Sequence, residues 1–202
     1  LLFNQTNFST SNWWKLKGNV LGYKNECGSQ IVTEIAKNRC FRILEIDLIR
    51  KNHKLKSRYF VQLFEDGYLC WVNIVGLQIE KCEKSSQEIL QCDESFIQKR
   101  IPIILNWIYL QSQNINIYKW GGTLGPDFDC SGLIQTAFMM HNIHIPRDSY
   151  QIMGFCKHLF DFPGNIELLQ KGDLLFFGDE KICNHIAIYS GNGLYYHSSG
   201  IE

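Results

Sequence analysis

Apolar and polar positions alternate in two different rhythms along this chain. Between residues 12 and 80, aromatic and branched residues gather into short strand-like runs: Gln30 to Ile35, Cys40 to Ile46, Tyr59 to Leu63 and Leu69 to Ile74. Turn-like segments, Asn25-Glu26-Cys27-Gly28 and Glu65-Asp66-Gly67, separate them, and short strands punctuated in this way predict a small β-barrel. Residues 81–93 are polar and aperiodic, so they are read as a linker. Beyond it the spacing turns helical. Asp93 or Ser95 is suited to cap a short helix, Pro102 fits the first turn of the next, and apolar residues from Ile103 to Leu110 continue it. A third apolar helical run covers Leu133 to Met140.

Strand-like alternation returns at Asp173 to Phe177, His185 to Tyr189 and Leu194 to His197. Ser190-Gly191-Asn192-Gly193 is hairpin turn chemistry and makes the last two runs antiparallel neighbours. The expected class is α+β, with a β domain over 1–80, a linker over 81–93, and helices on an antiparallel sheet over 94–202.

Composition narrows the partners. The 202 residues carry zero formal net charge and no long Lys/Arg cluster, so neither nucleic acid nor a membrane surface is an expected partner. Leu1-Leu2-Phe3-Asn4-Gln5 has neither a basic stretch nor a sustained apolar one, and no later run approaches a membrane span. Eight cysteines without a Cys-x-x-Cys pair are expected to be reduced thiols, which favours a cytoplasmic protein. Oligomeric state leaves no mark in the sequence.

One of those cysteines stands apart. Asp129-Cys130-Ser131-Gly132 follows a glycine-rich approach, Tyr118-Lys119-Trp120-Gly121-Gly122 and then Gly125-Pro126, and precedes the helical run. Cys130 is therefore expected at a helix N-terminus, where unpaired N–H groups favour a thiolate and draw the pKa from about 8.5 toward neutrality. His185 and His197 fall near one end of the predicted hairpin. Together they suggest a relay: Cys130 attacks a carbonyl, His185 takes and returns the proton, and His197 holds His185 in the useful tautomer. The other seven cysteines read as small apolar residues. The histidine pair lacks a third ligand at familiar spacing, so no metal and no cofactor are expected.

The ordered segments Tyr-x-Trp-Gly-Gly from Tyr118, Asp-Cys-Ser-Gly-Leu from Asp129, Pro-Arg-Asp-Ser-Tyr-Gln from Pro146, Gly-Asp-Leu-Leu-Phe-Phe from Gly172, Asn-His-Ile-Ala-Ile-Tyr from Asn184 and Tyr-His-Ser-Ser-Gly from Tyr196 resemble the NlpC/P60 cysteine peptidases. More narrowly, they are similar to the cyanobacterial-type gamma-D-glutamyl-L-diamino acid endopeptidases. The resemblance implies an SH3-like barrel ahead of a papain-like catalytic domain, and a hydrolase that cuts the gamma-D-glutamyl-diamino acid bond of murein tripeptides or tetrapeptides in peptidoglycan recycling. It also implies a preference for a free N-terminal L-alanine. On the same likeness, Asp129 holds the substrate amine, Ser131 makes a neighbouring contact, and Tyr118 sits beside the nucleophile and helps bind the oxyanion. Asp129 is equally well placed as a helix N-cap, and the two roles are compatible.

Arg147 and Ser149 match a segment that lines the family pocket, with Arg147 suited to a substrate carboxylate. Asp66 and Tyr68 resemble a loop that closes over the site from the first domain; a plain solvated turn is the competing reading. Relatives continue for further strands past the position of Glu202: either the sequence is a fragment, or the protein is naturally short and the histidine strand is expected at a sheet edge. Two other functions share the cysteine chemistry or the fold: an amidase or acyltransferase, and a non-catalytic peptide-binding module.

Overall fold

The computed structural model describes residues 12–44, 58–73, 76–82, 92–161, 163–179 and 182–200. The ends of two expected strands, at Glu45, Ile46 and Ile74, and most of the expected linker lie outside these residues. The chain divides into two compact units, Leu1–Ile89 and Leu90–Glu202.

The first unit is an antiparallel sheet of β1 (Trp13–Leu16), β2 (Val20–Tyr23), β3 (Ile31–Ile35), β4 (Cys40–Ile43), β5 (Tyr59–Leu63), β6 (Leu69–Val72) and β7 (Ile79–Cys82). Period-two alternation builds its core: Tyr59, Val61 and Leu63 of β5 are buried while Phe60 and Gln62 are half-buried. They meet Leu16, Ile35, Phe41 and Ile43 from neighbouring strands. The strand order is β3-β2-β6-β5-β4-β1-β7, with β3 and β7 at the two edges. Closing a barrel requires the edge strands to pair, and among the described residues no such pairing joins β3 to β7, so no closed barrel is found among them. Strand β7 also runs through the expected boundary at residue 80.

The second unit opens with α1 (Glu94–Gln98), capped by Asp93, whose carboxylate accepts the Phe96 N–H at 2.7 Å. Helix α2 (Ile101–Ser112) carries Pro102 in its first turn and buries Ile101, Ile104 and Ile108, one stripe at i, i+3 and i+7. Helix α3 (Cys130–Met139) is buried on every side from Cys130 to Phe138. A further helix, α4 (Ser149–Phe155), lies where the sequence showed only a pocket motif. Its start is a capping box: the Asp148 N–H donates to Gln151 Oε1 at 3.2 Å.

Strands β8 (Leu174–Asp179), β9 (Ile182–Gly191) and β10 (Leu194–Tyr196) form an antiparallel sheet in the order β10-β9-β8. Asn192 and Gly193 both take positive φ, 56° and 74°, as a two-residue hairpin turn of this hand requires. The central strand β9 is fully enclosed at Ile186, Ala187 and Ile188, and α3 and α4 pack on it. The start of α3, and with it Cys130, is thereby pressed against the strand that carries His185.

Candidate active site

Cys130 is the first residue of α3, and the loop before it is folded onto the helix start. The Gly122 carbonyl accepts the Asp129 N–H at 3.2 Å, and a Cβ on Gly132 would overlap that same carbonyl. Two glycines at these positions let loop and helix backbone touch. Ser198 Oγ donates to the Phe128 carbonyl at 2.7 Å, which ties the segment after His197 to the residues leading into Cys130.

The thiol of Cys130 meets the backbone N–H groups of Ile186, the residue after His185, and of Ser131. Nitrogen Nε2 of His185 lies 2.8 Å from Nδ1 of His197. For His185 to act as a base through Nδ1, its proton must sit on Nε2 and be donated to His197 Nδ1; the His197 proton then sits on Nε2. Burial, and then the neighbouring His197, hold the His185 imidazole below its ordinary value. The ring is thus neutral and able to accept a proton near pH 7.

Cys130 differs from expectation. Burial first, and the adjacent Asp129 carboxylate second, push its thiol above the ordinary value. The Ile186 and Ser131 N–H groups and the Arg147 guanidinium pull the other way without overcoming them. The free site therefore holds Cys130 as a thiol and His185 as a neutral imidazole.

Tyr118 also hydrogen-bonds the Cys130 sulfur. Burial first, and then its neighbours Cys130 and Asp129, push its hydroxyl up to about 12, so it remains a proton donor throughout the physiological range. Tyr118, His185, His197, Ser199 and Gly200 line a cleft of about 460 Å³. Cys130 stands behind this lining and is met through Tyr118. Ser199 and Gly200 were not singled out from the sequence, although both fall in the Tyr-His-Ser-Ser-Gly segment that ends there.

Four of the expected substrate contacts are engaged within their own chain. The Asp129 carboxylate accepts five donors from its own chain: the Gly121 N–H at 2.8 Å, the Gly132 N–H at 2.6 Å, Ser131 Oγ at 3.2 Å, and Arg147 at 3.1 and 2.6 Å. A carboxylate offers about four lone-pair sites, so this one is fully engaged by its own chain and serves as the cap of α3. Arg147, only 2 % exposed, gives its guanidinium to Asp129 and to Ser131 Oγ at 2.8 Å, and is therefore committed away from a substrate carboxylate. Ser131 is held within the same network. Ser149 is buried at the start of α4 and donates to the Cys183 carbonyl at 3.3 Å. Each follows from one rule: a buried charge or hydroxyl must find its partner inside the fold.

In the first unit, Asp66 is also paired: its carboxylate lies 2.8 Å from Arg39 and accepts the Tyr68 N–H at 3.0 Å. With its side chain 3 % exposed, Asp66 is neither a solvated turn nor an open carboxylate. Tyr68 packs against the core of that sheet. Among the described residues no group of three or more His, Cys, Asp or Glu could hold a metal ion.

Residues 116–202 match the model of the NlpC/P60 family. The chain carries an NlpC/P60 family domain. It is 40 % identical over 88 residues to a gamma-D-glutamyl-L-lysine dipeptidyl-peptidase of Bacillus cereus, covering 42 % of this chain and 25 % of that protein. It is also 40 % identical over 83 residues to dipeptidyl-peptidase 6 of Lysinibacillus sphaericus, covering 41 % and 27 % of the two chains. The chain thus spans about a quarter of the length of these curated relatives. Among solved structures it is similar to NlpC2 from Trichomonas vaginalis, with 16 % identity, a TM-score of 0.45, and coverage of 95 % of this chain and 90 % of that one. No helix among the described residues is long and apolar enough to cross a membrane.

Proposed function

We propose that this domain is a cysteine endopeptidase that hydrolyses the gamma-D-glutamyl-diamino acid bond of murein peptides. The observation that carries the reading is a cleft lined by Tyr118 and the His185–His197 pair, with Cys130 hydrogen-bonded to Tyr118, within the segment that matches the family. The mechanism follows from the protonation states. His185, neutral and oriented by His197, takes the Cys130 proton as sulfur attacks the carbonyl carbon. Tyr118, still protonated, is a hydrogen-bond donor for the developing oxyanion. The same imidazole then protonates the leaving amine, and water releases the acyl group from sulfur.

The preference for a free N-terminal L-alanine, the SH3-like character of the first unit, and action on soluble recycled peptides in the cytoplasm complete the proposal. Likeness of motifs supports the free-amine preference, the SH3-like first unit and soluble substrates, and cysteines without a Cys-x-x-Cys pair favour the cytoplasm; Asp129 and Asp66 are each ion-paired within their own unit. The test is incubation of the full chain with L-Ala-gamma-D-Glu-diaminopimelate and its N-acylated counterpart, with products read by mass spectrometry and Cys130→Ala as control. Release of the diamino acid only with Cys130 intact supports the peptidase reading. Equal rates on the two peptides would remove the free-amine preference, and amide transfer to an added amine in place of hydrolysis would make the enzyme an acyltransferase.

A further inference from the structure

Four rings close into a circuit beside the cleft. Phe177 and His185 have centroids 5.7 Å apart, His185 and His197 5.1 Å, His197 and Tyr195 5.4 Å, and Tyr195 and Phe177 5.9 Å. The circuit has a simple origin in the sheet. Phe177 of β8 is the direct cross-strand partner of His185 on β9, while Tyr195 of β10 stands opposite Tyr189, two pairs along the same face. Phe177 and Tyr195 nevertheless remain 40 % and 45 % exposed, so they are not there to fill a core.

From this circuit we infer that Phe177 and Tyr195 are positioning residues for the histidine pair, walling its two rings into the mutual geometry that the proton relay needs. The inference rests on the peptidase reading for its meaning, but not for its physical content. A hydrogen bond between two imidazoles fixes their nitrogens and leaves each ring free to pivot about that line. The His185 and His197 rings meet edge to face at 83°, and a ring against each of them restricts that pivot. Phe177 adds a second effect, since its apolar face helps keep water from His185. Among the described residues, His197 meets His185 directly with Tyr195 packed on its far side, Tyr118, Ser199 and Gly200 share the cleft, and Cys130, with the Asp129–Arg147 pair beside it, meets the backbone of the next residue, Ile186. Helix α4 presents the neutral Ser149 to β9. Of these, Tyr195 alone makes a ring contact with Phe177, so Tyr195→Ala is compared beside Phe177→Ala.

The experiment uses Phe177→Ala, Phe177→Leu, Tyr195→Ala and Tyr195→Phe in the full chain. Two readouts are taken: steady-state kinetics on the murein tripeptide, and titration of the His185 and His197 ring protons by NMR. Phe177→Ala and Tyr195→Ala should each lower kcat on the order of ten- to a hundredfold, the size of effect that small misplacement of a reacting group produces, with KM little changed. Phe177→Ala should also move the His185 titration upward and carry the acid limb of the pH profile with it. Tyr195→Phe should restore kcat because it keeps the ring, and Phe177→Leu should restore the titration because it keeps the apolar cover. If the wild-type chain cleaves no murein peptide, the peptidase reading fails while the NMR titration still decides the positioning role. Unchanged His185 titration in Phe177→Ala, or loss of kcat in Tyr195→Phe equal to that in Tyr195→Ala, overturns it.

Discussion

His185 Nε2 and His197 Nδ1 are joined by a 2.8 Å hydrogen bond across the last hairpin, so the tautomers of the two rings are coupled: one nitrogen donates and the other accepts. His197 has to accept for His185 to present a bare Nδ1. Replacing His185 with Ala should lower kcat by about 10²–10⁴-fold, the ordinary contribution of a general base. His197→Ala should cost on the order of 10²-fold or more, because the orienting partner selects the tautomer. His197→Asn should recover part of that loss through its amide oxygen, whereas His197→Leu should not. Steady-state kinetics on one peptide with these four variants checks the assignment.

The resting thiol predicts a distinctive pH response. Since burial and Asp129 raise Cys130 above the ordinary range, its alkylation by iodoacetamide in the free enzyme should increase through the alkaline range, with no plateau beginning near neutrality. Stability adds a second signature from His185. Its pKa is lowered on folding, so in the window just below the unfolded value of 6.5 the unfolded chain binds the extra proton. The contribution is complete above that value and is lost as pH falls through it. Urea midpoints measured from pH 8 to 5 should drop at the acid end, and less so in His185→Gln. A midpoint independent of this substitution would contradict the assignment.

Arg147 and Asp129 are predicted to matter for stability before they matter for catalysis. Removing one member leaves a buried, uncompensated charge, which costs about 3–5 kcal/mol. Arg147→Met should therefore lower the unfolding free energy by roughly that amount, while Arg147→Met combined with Asp129→Asn should recover a large share of it. Denaturant titrations of the two single variants and the double variant measure the coupling. Purely additive losses would show that the pair is not the unit described here.

Much of the site was readable because its geometry is local. Asp129 precedes an apolar helical run, and Gly191, Asn192 and Gly193 separate two alternating strands, so the helix start and the histidine hairpin each announce themselves within about ten residues. The pairing of Arg147 was not legible for the opposite reason. Its partner lies 18 residues away across the whole of α3, and no spacing rule links them. The thiol of Cys130 was misjudged because the helix-start argument counts the N–H donors while burial and the charge of Asp129 are properties of the finished fold. Strands β1 and β2 are four residues each, with Lys15 and Gly22 interrupting them, and α4 buries only Ser149 and Ile152, too few positions to display a period. The open order of the first sheet is set by which edges pair, and that is invisible to alternation along any one strand.

Gly132 offers a test of how tightly the approach loop is fitted to the nucleophile helix. A methyl group there would overlap the Gly122 carbonyl and approach Asp129 Oδ1 at 3.0 Å, so the obstruction is backbone and a fixed carboxylate, neither of which can rotate away. The loop would have to retreat, and the bonds from Gly122 to Asp129 and from Gly121 to the Asp129 carboxylate would lengthen together. Overpacking of this kind typically costs about 1–3 kcal/mol. Because Tyr118 and Cys130 stand at the two ends of the displaced segment, Gly132→Ala should lower kcat as well as stability. Gly154→Ala is the control, since nothing lies within 4 Å of a Cβ at that position in α4. Relief of glycine's backbone entropy should leave that variant unchanged or slightly more stable, by up to about 1 kcal/mol. Equal behaviour of the two alanine variants in thermal unfolding and in turnover would mean that the close approach of Gly122 and Gly132 does not hold the site together.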